Sequence, residues 1–168
     1  PGINIGFTYT DPIKNKSLFI EDKFLRTGDI GYLDVDGYLW LTGRAKDVIM
    51  RGGHNIDPLI IEEALSGHPS VSLVGAIGQP DIYSGELPCA YVELISGSEV
   101  TVQELMDYAK ENVSDYTACP KYIEVLDQLP KTAIGKVFKP ELRCLSITRI
   151  FNDALLKNNI GALVSDVI

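Results

Sequence analysis

Arg26-Thr27-Gly28-Asp29 places a carboxylate directly after a Thr-Gly turn. Such a carboxylate can accept two hydrogen bonds from vicinal hydroxyls, as on a ribose. A Thr-Gly-Asp tripeptide also arises by chance, and Asp at a turn often bonds its own backbone. A second segment is Gly43-Arg44-Ala45-Lys46-Asp47, followed by Arg51-Gly52-Gly53-His54. A fixed guanidinium can pair a phosphate or ribose oxygen, and glycines let a thin substrate arm slide along bare backbone. The plainer alternatives are a solvated charged turn and a hairpin bend. The third segment is Leu129-Pro130-Lys131-Thr132-Ala133-Ile134-Gly135-Lys136. Pro130 stiffens the loop, Gly135 permits an unusual backbone angle, and Lys136 can then project an ammonium into a site. That point charge would offset repulsion between a carboxylate and an α-phosphate and stabilise the transition state between them. Its bland counterpart is an exposed surface lysine.

These segments must be held by elements that the pattern predicts. Pro1 to Asp22 is rich in turn residues, including Pro1-Gly2, Asp11-Pro12 and Asn15. From Ile30 to Thr42 the chain predicts a β-hairpin, with Tyr32, Leu33 and Val35 leading into Asp36-Gly37 and Tyr38 to Leu41 returning. Val48 to Met50 predicts a short strand. Asp57-Pro58 supplies N-cap and first-turn chemistry for a helix carrying Leu59, Ile60, Ile61, Ala64 and Leu65, which Gly67 and Pro69 stop. Val71 to Ile77 and Pro88 to Ile95 predict two core strands with a loop between them. Thr101-Val102-Gln103-Glu104 is a capping box for a helix through Val113, with Leu105, Tyr108, Ala109 and Val113 as its apolar stripe. Tyr122 to Leu126 predicts a third strand. A last helix has Pro140 near its start and Leu145, Ile150, Phe151, Leu155 and Leu156 among its apolar positions. The expected fold class is α+β: a small few-stranded sheet packed by helices, preceded by a β-rich segment.

Composition narrows the function classes. The chain has 168 residues, 45% hydrophobic and 23% charged, with a net charge of −8. A chain so acidic gains little from phosphate neutralisation, so a nucleic-acid partner is not expected. No apolar run approaches the roughly 20 residues of a membrane-spanning helix. The first residue is Pro1, which suggests a piece of something longer. Cys89, Cys119 and Cys144 form no C-x-x-C pair, and adding His54 and His68 gives no zinc spacing. Three reduced thiols in a cytoplasmic protein are the expectation, with a Cys–His nucleophile left open.

Taken in order, the segments resemble the adenylate-forming superfamily of acyl- and aryl-CoA synthetases, peptide-synthetase adenylation domains and firefly-type luciferases. The likeness rests on Arg26 to Asp29, Gly43 to Ile49, Gly52-Gly53-His54-Asn55-Ile56, Ile61-Glu62-Glu63 and Pro130 to Lys136. It covers the chain from Pro1 to about Arg143. It implies an enzyme that joins a carboxylic acid to AMP, releases pyrophosphate and passes the acyl group to coenzyme A. Residues 1–44 would then be the end of a large amino-terminal domain, and residues 45–168 a mobile carboxy-terminal lid. ATP, with magnesium, would be held mainly by that amino-terminal domain, and the acid, expected to be a fatty acid, would bind there too.

Carried over residue by residue, the resemblance implies that Asp29 binds the ribose hydroxyls and Arg44 assists at ribose or phosphate. Lys46 stands at the hinge, Lys136 is the adenylation lysine, and Gly52 and Gly53 line the passage for coenzyme A. Ile134 replaces a small polar residue common before the Gly-Lys pair, and Phe138-Lys139-Pro140 replaces paired arginines. Both departures point towards bacterial fatty-acyl-CoA synthetases. Asn55 stands where some relatives place a phosphate-binding arginine, so it is given no role. The alternatives are a peptide-synthetase adenylation domain, an aryl-acid ligase, or a stand-alone lid-like module that binds a partner without catalysis.

Overall fold

The computed structural model describes residues 9–15, 18–20, 24–165 and 167. The predicted turn at Pro1-Gly2 lies outside them. The chain divides into two compact units, Pro1–Lys46 and Asp47–Ile168.

In the first unit, α1 (Pro12–Asn15) begins where Asp11 accepts a hydrogen bond from the Ile13 N–H at 2.9 Å. β1 (Phe19–Ile20) pairs antiparallel with β2 (Phe24–Leu25). β3 (Asp29–Leu33) and β4 (Leu39–Arg44) form the expected hairpin. Its turn is one residue wider than Asp36-Gly37 suggests: the Asp34 N–H donates to the Tyr38 carbonyl at 3.0 Å, and residues 35–37 form the loop with Gly37 at φ +83°. Asp34 organises that loop: its carboxylate accepts the Asp36 N–H at 3.0 Å, the Tyr38 N–H at 2.8 Å and the Trp40 indole N–H at 2.7 Å. Val35, expected in the strand, stands fully exposed in the loop. Three good donors outweigh a β-branched residue's strand preference.

The Trp40 indole, followed by the Tyr38 amide, holds the Asp34 carboxyl below its ordinary value of 3.8. A depressed carboxylate contributes loop stability that is present above the unfolded-state pKa and lost as pH falls through the folded one. Trp40 fluorescence should therefore report an acid transition with a midpoint below 3.8. Asp34→Asn should abolish that step. A midpoint at or above the ordinary Asp value, or an unchanged step in the variant, would remove Asp34 from this role.

The second unit is built on a sheet of five strands. β5 (Ile49–Arg51) and β6 (His54–Ile56) form a hairpin, and β7 (Val71–Asp81) and β8 (Gly85–Leu94) a longer one. The order is β6-β5-β8-β7, with β9 (Tyr122–Leu126) parallel to β8. α2 (Pro58–Ser66) starts at the Asp57 cap, whose side chain accepts the Leu59 N–H at 3.0 Å. α3 (Val102–Asn112) starts at a complete capping box between Thr101 and Glu104. α4 (Lys139–Lys157) closes the unit.

Strand alternation splits the core into two layers. Ala90 and Val92 of β8 join Val74, Ala76 and Ile123 under α2 and α3, in the cluster that includes Ile61, Leu65, Leu105 and Ala109. Cys89 and Tyr91 point the other way, with Ile77, Leu129 and Leu142 of α4. Helices thus cover both faces. Gly75 permits the close approach of α4, since a Cβ there would stand 2.6 Å from Leu142 Cδ1 and 2.8 Å from Val137 Cγ1.

Three expectations shift. The short strand begins one residue later and runs through Arg51. The loop predicted across Gly78 to Glu86 is mostly strand, paired as far as Asp81 with Gly85. Pro80 lacks an N–H, yet it is tolerated because β7 lies at the edge of the sheet. Along α4 the buried residues are Leu142 and Ser146, whereas Leu145, Phe151 and Leu156 are exposed.

Candidate functional site

In the first unit, hairpin register brings two candidate residues side by side. Asp29 opens β3 and Arg44 ends β4, and the two are paired across the ladder. The Arg44 guanidinium meets the Asp29 carboxylate at 3.1 Å. The pair is solvent-facing, so it contributes little to stability, about 0–1 kcal/mol, and remains available to polar ligands. The Asp29 N–H donates to the Thr27 hydroxyl at 3.2 Å, and the Ala45 N–H to the Gly28 carbonyl at 2.9 Å. Beside them is a cleft of about 210 Å³ lined by Thr27, Gly28, Arg44, Ala45 and Lys46. Lys46 lies in the turn that follows β4, at the last position of this unit.

In the second unit, Gly52 and Gly53 are the two central residues of the β5–β6 hairpin, between the paired Arg51 and His54. Their φ values are +53° and +87°. A two-residue hairpin turn of this kind needs positive φ at both positions, which explains the diglycine without any ligand. A Cβ at either position would meet nothing within 4 Å. The turn is therefore open above its backbone, and an extended thiol arm could lie against it. Arg51 anchors the hairpin by donating from its guanidinium to the Thr117 carbonyl.

Lys136 belongs to another loop of that unit, between β9 and α4. Lys131 and Val137 bridge antiparallel, and the Phe138 N–H donates to the Pro130 carbonyl at 2.7 Å. Above this stem the Thr132 N–H donates to the Lys136 carbonyl at 2.7 Å, and the Gly135 N–H to the Thr132 carbonyl at 2.8 Å. Gly135 has φ +81°. This is a three-residue hairpin loop whose left-handed position falls on the glycine. Lys136 is exposed.

The loop is braced by side chains to which the motif reading gave no role. Glu93 on β8 accepts the Leu129 N–H at 2.8 Å and meets the Lys131 ammonium at 3.0 Å. The Leu129 amide first, then Lys131, hold the Glu93 carboxyl below its ordinary value. Glu62 on α2 accepts the Ala76 N–H of edge strand β7 at 2.8 Å and meets the Lys139 ammonium at 2.8 Å. Arg143 of α4 meets Asp47 at 2.8 Å, so the first residue of the unit is tied to its last helix. Asp47, Glu62, Lys131 and Lys139 lie within or beside the motif segments, whereas Glu93 and Arg143 carry no sequence signal of their own.

Two of the three cysteines are packed in the core, whereas Cys144 is half-buried. Cys89 is fully buried, and desolvation pushes its thiol up to about 12. Cys119 is buried too, and all three thiols are free. The His68 ring accepts the Ser70 N–H at 3.1 Å and stands edge-on to Tyr108, a packing role. Among the described residues, no helix is long and apolar enough to cross a membrane.

Residues 60–136 match the AMP-binding enzyme C-terminal domain. The marinolic acid–CoA ligase of Pseudoalteromonas sp. (strain SANK 73390) is 47% identical over 154 residues, which is 92% of this chain and 24% of the relative. The long-chain-fatty-acid–CoA ligase of Bacillus subtilis (strain 168) is 37% identical over 134 residues, 80% of this chain and 24% of the relative. Among solved structures, o-succinylbenzoate CoA synthetase from Bacillus subtilis, in complex with the acyl-adenylate intermediate OSB-AMP, superposes with a TM-score of 0.71 at 36% identity. That superposition covers 80% of this chain and 27% of the other. The chain thus spans about a quarter of the length of the relatives it matches.

Proposed function

The chain belongs to the AMP-binding enzyme family, whose C-terminal domain it carries, and from that premise we propose that it serves as the carboxy-terminal part of an ATP-dependent acid–CoA ligase. In the first half-reaction a carboxylate oxygen attacks the α-phosphorus of ATP, and pyrophosphate leaves with the electrons of the broken P–O bond. In the second, the thiol of coenzyme A attacks the acyl carbon, AMP leaves, and the thiol proton passes to solvent.

The observation that carries this reading is the presentation of Lys136: exposed, at the end of a short braced loop. An ammonium so held can approach a carboxylate and an α-phosphate bound by another domain and stabilise the charge that develops between them. Asp29 would accept the ribose hydroxyls, and Arg44, which already orients that carboxylate at 3.1 Å, would assist at ribose or phosphate. The cleft beside Arg44, lined also by Thr27 and Lys46, is where the nucleotide would lie. Lys46 would be the hinge about which residues 47–168 reorient between half-reactions. Gly52 and Gly53, open above their backbone, would then line the path of the coenzyme A arm.

The acid and the nucleotide, with its magnesium, would be bound mainly by a preceding domain. The apolar residues exposed on the β3–β4 hairpin, including Tyr32, Leu39 and Trp40, would pack against that domain. A fatty acid is the proposed substrate, since a long-chain-fatty-acid–CoA ligase is among the relatives. Three free thiols fit a reducing compartment, hence a cytoplasmic enzyme.

Two measurements test this. The 168-residue chain alone should support no ATP–pyrophosphate exchange. Joined to the preceding domain of its parent protein, it should release pyrophosphate and form a thioester, strongest with fatty acids when short, medium, long and aromatic acids are compared. Exchange by the isolated chain would misplace the active site, and no pyrophosphate release with any acid would remove the ligase reading.

A further inference from the structure

Two ion pairs grip the Lys136 loop from either side. At its entrance is Lys131–Glu93, 3.0 Å, and at its exit Lys139–Glu62, 2.8 Å. Each carboxylate also accepts a main-chain N–H: Glu93 that of Leu129, just before the loop, and Glu62 that of Ala76 on the edge of the sheet. Both carboxylates are therefore fixed by the scaffold before they meet a lysine. The Lys139–Glu62 pair is well shielded, with 18% of each side chain exposed. At that depth a pair is little screened, and loss of one partner leaves a charge without its counterion. The stem between them, bridged at Lys131 and Val137, holds only the residues from Thr132 to Lys136.

We infer that Glu62 and Glu93, through Lys139 and Lys131, are positioning residues that set where the Lys136 ammonium stands during acyl-adenylate formation. This rests on the proposed role of Lys136. Neither pair touches a reacting atom. Their effect is geometric: a loop secured at one end only could pivot, and a displacement of about 1 Å in a reacting group can cost on the order of 100-fold in rate. The Gly52-Gly53 turn lies on a different hairpin, so loosening the loop should leave thioester formation alone.

The test uses the full-length parent enzyme with Lys131→Gln and Lys139→Gln, alone and together, and Lys136→Ala in parallel. Substituting the lysines leaves both carboxylates free to accept their main-chain N–H groups. The double variant should lose about 10- to 100-fold in pyrophosphate release while converting supplied acyl-adenylate to thioester within about twofold of the parent rate. The corresponding Lys→Arg changes should restore most of the loss. Should Lys136→Ala abolish adenylation while the double variant keeps it, the bracing role is overturned and the Lys136 reading stands. Normal adenylation in Lys136→Ala would overturn both. An equal fall in the two half-reactions, with a lowered melting temperature, would make the pairs purely structural and overturn the inference. Lys131→Gln alone, at the more exposed pair, provides a variant whose folding is least affected.

Discussion

Lys136→Ala in the full-length enzyme should cut acyl-adenylate formation by about 100- to 1,000-fold, the loss typical when one fixed donor to a developing oxyanion is removed. Thioester formation from supplied acyl-adenylate should be largely retained. The asymmetry is the informative part. Lys136 ends a loop whose stem is closed by the Lys131–Val137 bridge and the Phe138–Pro130 hydrogen bond. Removing its side chain therefore takes away a charge without dismantling the loop, because the Lys136 backbone carbonyl still accepts the Thr132 N–H. Lys136→Arg should recover only part of the rate, since a planar guanidinium disperses charge that an ammonium concentrates. Pyrophosphate release and single-turnover thioester formation, measured on the same preparations, check this. Equal loss in both would mean that Lys136 supports the protein rather than one chemical step.

Lys46→Pro should do the reverse, slowing thioester formation by roughly 100-fold and leaving adenylation closer to normal. Proline fixes φ near −65° and removes the N–H, and a conformation that needs another torsion is disfavoured by about 3 kcal/mol or more. That energy corresponds to about two powers of ten in rate. The substitution falls in the turn after β4, where the first compact unit ends. Beyond it, the Asp47–Arg143 pair ties the start of the second unit to α4. Rotation would therefore have to be absorbed at or before Lys46 rather than after it. Unchanged thioester kinetics in Lys46→Pro would place the pivot elsewhere.

Much of the fold was legible because its signals are local. Asp57 before Pro58, the Thr101–Glu104 box and the apolar runs of β7, β8 and β9 each act within a few residues, where capping and alternation operate. Hairpin β3–β4 was legible for the same reason. Its loop length was not, since Asp34 recruits Trp40 from six residues away and the loop takes in Val35 as well as Asp36 and Gly37. Gly78 and Pro80 read as a loop for want of one fact: β7 is an edge strand, where a missing N–H breaks no ladder.

The order and spacing of the motifs alone identified the family and nominated the residues for mutation. What only the tertiary structure decided is how those residues are held. Glu93 and Lys131 are 38 positions apart, Asp47 and Arg143 are 96 apart, and Glu62 reaches Lys139 only because α2 and α4 both pack against β7. No local pattern encodes such partners. Charges that meet across a fold are chosen by the path of the backbone, and that path exists only once the sheet has closed.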